Sequence, residues 1–417
     1  MIIRLKKLNR GIIMKRISKL IVVVLIVGFW FACDKEPDQP QPLNLTRNEL
    51  KVLQQGNQFG FDLFNLMGKE SPDSNLCISP YSIYTALSMA ANGADNQTLD
   101  EMLNLLGFPG KDVADLNKSV KNLNQVLIGK DPTTVFETAN SVWYNTNGFT
   151  VYPDFTANLQ NYYSARVEGL DFSAPSALAT VNGWVKEKTH DKIDKIIEKI
   201  NPEDVCFLIN ALYFNGKWTN RFDKDDTHLD SFTSASGKSQ QVPTMYLKDT
   251  LNAIITADLL AVELPYGDGS WSMYLFLPPK NVNLDDWCSQ QLSGGWEDLR
   301  SQFEPVEGME VYLPQFKLEN SFELSKQLKQ LGIPTAFTDA ADFSKLGPGS
   351  LSISQVLHKT YIDVNEDGTE AAAVTAVIIT RTSMPVDVIR FNHPFIFVIA
   401  EKSTGSIIFI GKLMNPE

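Results

Sequence analysis

The chain predicts an α+β fold, with helices first and large, mostly antiparallel sheets after them. Three observations carry this. Capped amphipathic segments crowd the first half. β-Branched and aromatic runs bounded by Gly, Pro or Asn crowd the second. No regular alternation of the two, of the kind a parallel sheet needs, joins them. With 43% hydrophobic and 21% charged residues the composition is globular. A formal charge of −12 disfavours nucleic acid and other polyanions as partners.

Residues 1–32 read as an export signal and not as fold. Lys15, Arg16 and Lys19 precede an apolar run from Leu20 to Ala32, which meets Cys33 and the polar stretch Asp34 to Pro42. As a helix the run reaches only about 20 Å, short of the roughly 30 Å hydrocarbon core, so a spanning anchor is the weaker reading. Met14 is a plausible true start. Ala32-Cys33 is similar to a lipoprotein cleavage point, which implies acylation of Cys33; a plain secretory signal is the alternative. The expected location is the outer membrane or cell surface through that lipid, or else the periplasm or medium. Residues 33–45 form a polar tether. Residues 46–417 contain no linker, charge block or repeat and are taken as one domain.

Within that domain, Thr46 with Glu49 and Thr98 with Glu101 have capping-box spacing. Leu50, Leu53, Leu63 and Leu66 follow the first; Leu99, Met102, Leu103 and Leu106 follow the second, before Gly107. Ser79-Pro80 predicts an N-cap and first turn, with Ile83, Leu87 and Ala91 on one face and Gly93 to stop it. Val181, Trp184 and Val185, with Ile193, Ile196 and Ile197, predict a fourth helix, and Leu324, Leu328 and Leu331 a late one. Strands are expected over 206–214, 272–277, 309–318, 354–364, 386–391, 395–401 and 406–413. Lys402 to Gly405 would turn the last hairpin.

Little reads as catalytic. His190, His228, His358 and His393 sit in no metal-binding spacing, and Cys77, Cys206 and Cys288 read as buried thiols, so neither metal nor cofactor is expected. No nucleophile elbow or phosphate-binding loop occurs. Asp363 to Gly368 matches the opening of a calcium loop, but its twelfth position is Val374, where a bidentate Glu is needed.

The segment that follows is odder. Residues 369–379 start with alanines and end in strand formers. Extended, they place Thr369, Ala371, Ala373, Thr375, Val377 and Ile379 on one uncharged face fit for burial, and Glu370 on the other, fit for solvent or a polar surface. Small leading side chains would let such a strand slip between two others; an ordinary strand or a solvated helix is the plainer reading.

Six blocks resemble the serpin family in order and spacing: 79–83 with Gly93-Ala94, 210–218, 313–317, 358–360, 365–373 and 392–395. The resemblance runs from about Thr46 to Pro416. It implies the serpin fold with an exposed reactive-centre loop, and a monomer that is not an enzyme. Its function would be suicide inhibition of serine proteases, and of cysteine proteases as a second class: the protease acylates the loop, and the loop inserts into the main sheet. The runner-up is a serpin-fold binding or storage protein whose loop never inserts.

By the same resemblance the hinge is Glu366 to Ala376, including Gly368, Thr369, Glu370, Ala371, Ala372, Ala373, Val374 and Thr375. Val374 departs from the family's small residue there. Family spacing puts the reactive bond at Thr382-Ser383, suited to elastase-like proteases; a loop one residue shorter breaks Arg381-Thr382, suited to trypsin-like ones. Ser79, Ser82, Asn210 and His358 correspond to a polar cluster beneath the opening sheet, and Trp218 to the tryptophan at its top. Gly368 to Thr382, extended, spans roughly 46 Å, close to the diameter of about 50 Å expected of the body.

Overall fold

Thr46 closes the first helix as its sequence requires: Glu49 N–H donates to Thr46 Oγ1, and Thr46 N–H donates back to the Glu49 carboxylate. In this computed structural model, which describes residues 45–110, 112–369 and 387–416, that helix is α1 (Arg47–Glu70). A short strand, β1 (Leu76–Ile78), leads into α2 (Pro80–Ala91), N-capped by Ser79 with Pro80 in its first turn. Next come α3 (Asn96–Leu105), α4 (Val113–Leu127), β2 (Val135–Asn145), α5 (Pro153–Tyr163), β3 (Arg166–Leu170), α6 (Ser176–Lys188) and β4 (Cys206–Lys217).

The remaining strands are β5 (His228–Thr233), β6 (Ser239–Ile255), β7 (Leu260–Tyr266), β8 (Trp271–Leu277), β9 (Glu304–Pro314), β10 (Phe316–Glu323), β11 (Leu357–Asn365), β12 (Gly368–Thr369), β13 (Val388–Arg390), β14 (Phe395–Glu401) and β15 (Ile407–Leu413), with three short helices between β8 and β11. They form two sheets. A nine-stranded sheet runs β1-β15-β14-β8-β7-β6-β9-β13, with β5 also on β6; a six-stranded sheet runs β10-β11-β12-β4-β2-β3. The residues from Leu45 onward make one unit by their contacts.

The main core lies between the sheets and around α1 and α2, and it includes Phe64, Ile83, Leu87, Phe214, Tyr266 and Phe397. A second core sits on the other face of the six-stranded sheet. There Trp143 of β2 meets Trp184 of α6 edge to face at 5.9 Å, and Ile209 and Ala211 of β4 pack with Val181, Ile193 and Ile197. Helix α6 and the segment after it therefore roof the outer face of β2 and β4.

Three expectations need correction. The N-cap of α3 is Asp95; Thr98 lies inside the helix, where its buried hydroxyl accepts from Asp342 N–H, and Glu101 is taken by Thr335. Ile193, Ile196 and Ile197 are not helical, because His190 and Asp191 adopt left-handed φ of 48° and 65° and turn the chain back onto the second core. The run 309–318 is two strands in different sheets, divided at Gln315. The first half also holds β2 and β3, and the second β5, β6 and β7, which the sequence reading did not place.

Candidate functional site

β4 and β11 are centre strands that run parallel to each other, and β12 lies between their ends, antiparallel to both. Thr369 stands opposite Val364 and Gly216, and Gly368 opposite Asn365 and Lys217. This rung tolerates no side chain at its first residue: Gly368 has φ +151°, and a Cβ there would stand 2.1 Å from Gly216 O and 2.7 Å from Lys217 Cα. Thr369 is buried, its hydroxyl 2.6 Å from Tyr266 Oη, and Tyr266 is stacked on Trp218 with ring centroids 4.4 Å apart.

The turn before the rung is pinned from three directions. Trp218 Nε1 donates to Asn365 O and Trp218 N–H to Asp367 O. The buried Glu366 carboxylate accepts from Thr227 Oγ1 and Gln315 Nε2, each at 2.6 Å. Asp367 pairs with Lys224 at 2.7 Å, which raises the lysine pKa, and with Arg221 at 3.8 Å. The calcium-loop look of Asp363 to Gly368 is thus the end of a strand and its turn, with Asn365 Oδ1 accepting from Asp367 N–H.

Below the rung, no described strand joins β4 to β11. A cavity of about 480 Å³ opens there, lined by β4 from Cys206 to Asn210, by residues 350–358 and by the α2 face that carries Ser82 and Leu87. Its polar end is the predicted cluster. Ser79, at the N-cap, takes Ser82 N–H on its hydroxyl and gives its own N–H to His358 Nε2 at 3.0 Å. An imidazole that accepts at Nε2 carries its proton on Nδ1. Burial pushes the His358 pKa down to about 3, so the ring is neutral. Asn210 Nδ2 donates to Asn140 Oδ1, and Asn140 Nδ2 to Tyr163 O. That chain fixes both amides and leaves Asn210 Oδ1 buried with no donor among the described residues.

The structure therefore gathers Ser82, Asn210 and His358 around one cavity, with Ser79 bonded to Ser82 and His358, and sets Trp218 with Glu366, Gly368 and Thr369 at the top of the same gap. Glu370 to Ala376, the bonds Arg381-Thr382 and Thr382-Ser383, and Cys33 lie outside the described residues. Sequence reasoning missed Tyr266, Gln315, Thr227, Lys224 and Asn140, each of which acts through a long-range contact with no local signature.

The family model for Serpin (serine protease inhibitor) matches residues 54–416. The leukocyte elastase inhibitor of Xenopus laevis is 33% identical over 371 residues, covering 86% of this chain and 97% of its own. The thermophilic serpin tengpin in its native state has a TM-score of 0.80 at 35% identity, covering 90% of this chain and 96% of its own. Human thyroxine-binding globulin, solved with its hormone, has a TM-score of 0.81 at 26% identity, covering 88% and 99%.

Replacing Gly368 with Ala is expected to expel the rung. Amide hydrogen exchange at Thr369 and Gly216 should then speed up and Trp218 emission shift to the red; unchanged exchange would contradict the packing argument. His358 sets a pH dependence. Its folded pKa lies below the ordinary value near 6.5, so the unfolded chain takes up the proton first and stability falls as pH drops below about 6.5. Between pH 7 and 4.5, denaturant titration should show the parent losing about 2 to 3 kcal/mol more than His358→Gln. An equal loss would mean that the ring titrates normally.

Proposed function

The chain belongs to the serpin family, and from that premise we propose that it is a suicide-substrate inhibitor of serine proteases, and of cysteine proteases as a second class. The family is generally one of inhibitors and not of catalysts. The relatives above include one named as an elastase inhibitor and one that binds thyroxine. What favours inhibition is the rung: two buried residues of the hinge already sit as a strand between β4 and β11, above an open slot.

Continued downward in the same register, the hinge would fit what it meets. Ala371 would come between Ile362 and Phe214, Ala373 between Thr360 and Leu212, and Thr375 between His358 and Asn210. Small side chains would then face the core, and the one hydroxyl would lie beside Asn210, whose Oδ1 has no donor among the described residues. On the other face Glu370 would lie between Asp363 and Asn215, the polar setting expected from the sequence, but lower down that face is covered. Val374 would lie beside Ala211 and Ala376 beside Ile209, under the roof of α6 and Ile193. That roof must shift for the strand to pass, so Val374 bears on the rate of insertion more than a solvent-facing residue would.

In the proposed reaction the protease serine Oγ attacks the Thr382 carbonyl. The Thr382-Ser383 bond breaks, its electron pair and a proton go to the new amine of Ser383, and an ester joins Thr382 to the protease. Insertion from Gly368 to Thr382 then carries the acylated protease across the body before water completes hydrolysis. About a dozen new backbone hydrogen bonds, at roughly 1 kcal/mol net each, match the 5 to 15 kcal/mol that typically holds a protease domain together. Cleavage at Arg381-Thr382 would give the same trap for a trypsin-like enzyme. We read the inhibitor as a monomer, exported through residues 1–32 and tethered by acylated Cys33 to the outer membrane or cell surface, with a periplasmic or secreted form as the alternative.

Incubation with an elastase-like and a trypsin-like protease should give a complex that survives denaturing electrophoresis, and mass spectrometry of the released peptide identifies the bond. Thr369→Arg, which puts a charge where the buried rung forms, should leave the loop cleavable and cut complex yield at least tenfold. Cleavage of the parent without complex by every protease tried would favour the binding or storage reading. Growth with an alkyne-labelled fatty acid should label the chain, and Cys33→Ser should abolish the label; equal labelling of both would refute acylation at that residue.

A further inference from the structure

We infer that the outer face of the adjacent strands β5, β6, β9 and β13 is a second contact surface for the protease that holds the reactive bond, and that it receives a neutral loop beside that protease's cleft, one that carries an apolar or aromatic side chain and an exposed carbonyl. The position of the reactive bond comes from the inhibitor reading above; the contact itself requires no insertion of the loop.

Alternation along the strands decides what the face carries. Met245, Leu247, Val311, Leu313 and Ile389 are buried in the core, so their neighbours point outward. Register sets these in two rows: Arg390, Tyr312 and Tyr246 in one, Val388, Glu310 and Lys248 in the other. The first row is stacked. The Arg390 guanidinium lies 3.5 Å from the centre of the Tyr312 ring, and the Tyr312 and Tyr246 ring centroids are 4.9 Å apart. His228 of β5 meets Tyr312 edge to face at 6.0 Å. Arg390 nevertheless stays 45% exposed and Val388 40%. Tyrosines and a pre-stacked arginine lose little entropy when a partner covers them, and both residue types are enriched among the strongest contacts of interfaces. The two cations are already paired, Arg390 with Asp230 at 3.2 Å and Lys248 with Glu310 at 3.0 Å, so the face suits a neutral partner. Of the five N–H donors of Arg390, one bonds Asp230 among the described residues, which leaves donors for a carbonyl.

Reach names the occupant. Ser383 is five steps from Val388, at most about 17 Å of extended chain. A protease domain of about 200 residues is roughly 40 Å across. Seated on Thr382-Ser383, it therefore brings the leaving-group side of its cleft to β13 and the rows beside it. Two rows of three residues are also far fewer than the roughly 20 to 30 a side of a standard interface, so the face fits as an addition to the contact the loop makes.

Calorimetric titration of the full chain with an elastase-like and a trypsin-like protease, each with its nucleophilic serine replaced by alanine, tests this, because such an enzyme binds the loop and cannot acylate it. Saturable one-to-one binding is expected, about tenfold weaker for Tyr246→Ala and for Arg390→Gln. Lys248→Ala, at the rim of the face, should change it less than about twofold. Two variants of the stacked row guard against one that fails to fold. Equal affinity for the parent and both of them, or no binding of the parent to either enzyme, would overturn the surface. Dimerisation of the chain that Tyr246→Ala abolishes would give the face to a second copy and overturn it likewise. Active proteases separate this proposal from the reading beneath it. Covalent complex formed as fast by both variants as by the parent would remove the surface and leave the inhibitor standing; variant-sensitive binding without covalent complex would leave the surface standing and remove the trap.

Discussion

The whole arrangement depends on backbone hydrogen bonding at two neighbouring strands that do not pair with each other. β4 and β11 run parallel, and the structure spaces them for a third strand of opposite direction, of which two residues are in place. A strand edge with unmet N–H and C=O groups is a standing attraction for any extended peptide. In most proteins such an edge is covered or charged. Here it is interior, opens on a cavity, and carries the two-residue strand β12 at its upper end.

The packing around the gap serves to hold that state without closing it. Gly368 and Gly216 let three backbones approach where any Cβ would collide with Gly216 O or the Tyr266 ring. Glu366 and Asp367 are tied to Gln315, Thr227 and Lys224, which pins the turn that leads into the rung. At the lower end Asn210 and His358 each keep one hydrogen-bonding capacity in reserve. A buried unmet acceptor is costly, and a group that met it on the proposed insertion would turn that cost into driving force.

How much of this was readable from sequence follows the range of the interactions. The Thr46–Glu49 box, the Ser79-Pro80 start and the strand Phe395–Glu401 are set by neighbours in sequence, and they stand where the residues put them. The alternation of small residues after Gly368 showed which face could be buried, and Thr369 is buried on that face. Other features were decided at a distance. Thr98 lost its capping role to a bond from Asp342, and Ile193 to Ile197 lost their helix to a left-handed turn at His190 and Asp191. β2 was hidden by its polar residues: Asn140 points to Asn210, while Trp143 points to α6. The family blocks located the polar cluster, but only the fold gave its cavity and the orphaned oxygen.

The central claim is that a nicked chain closes the gap with its own loop. Amide hydrogen exchange of β4 and β11, measured on the intact chain and after cleavage between residues 370 and 386, tests it most directly. The account predicts that amides from Leu208 to Asn215 and from His358 to Asp363 become strongly protected after cleavage. Unchanged exchange in both strands, with the severed loop freely exchanging, would contradict it.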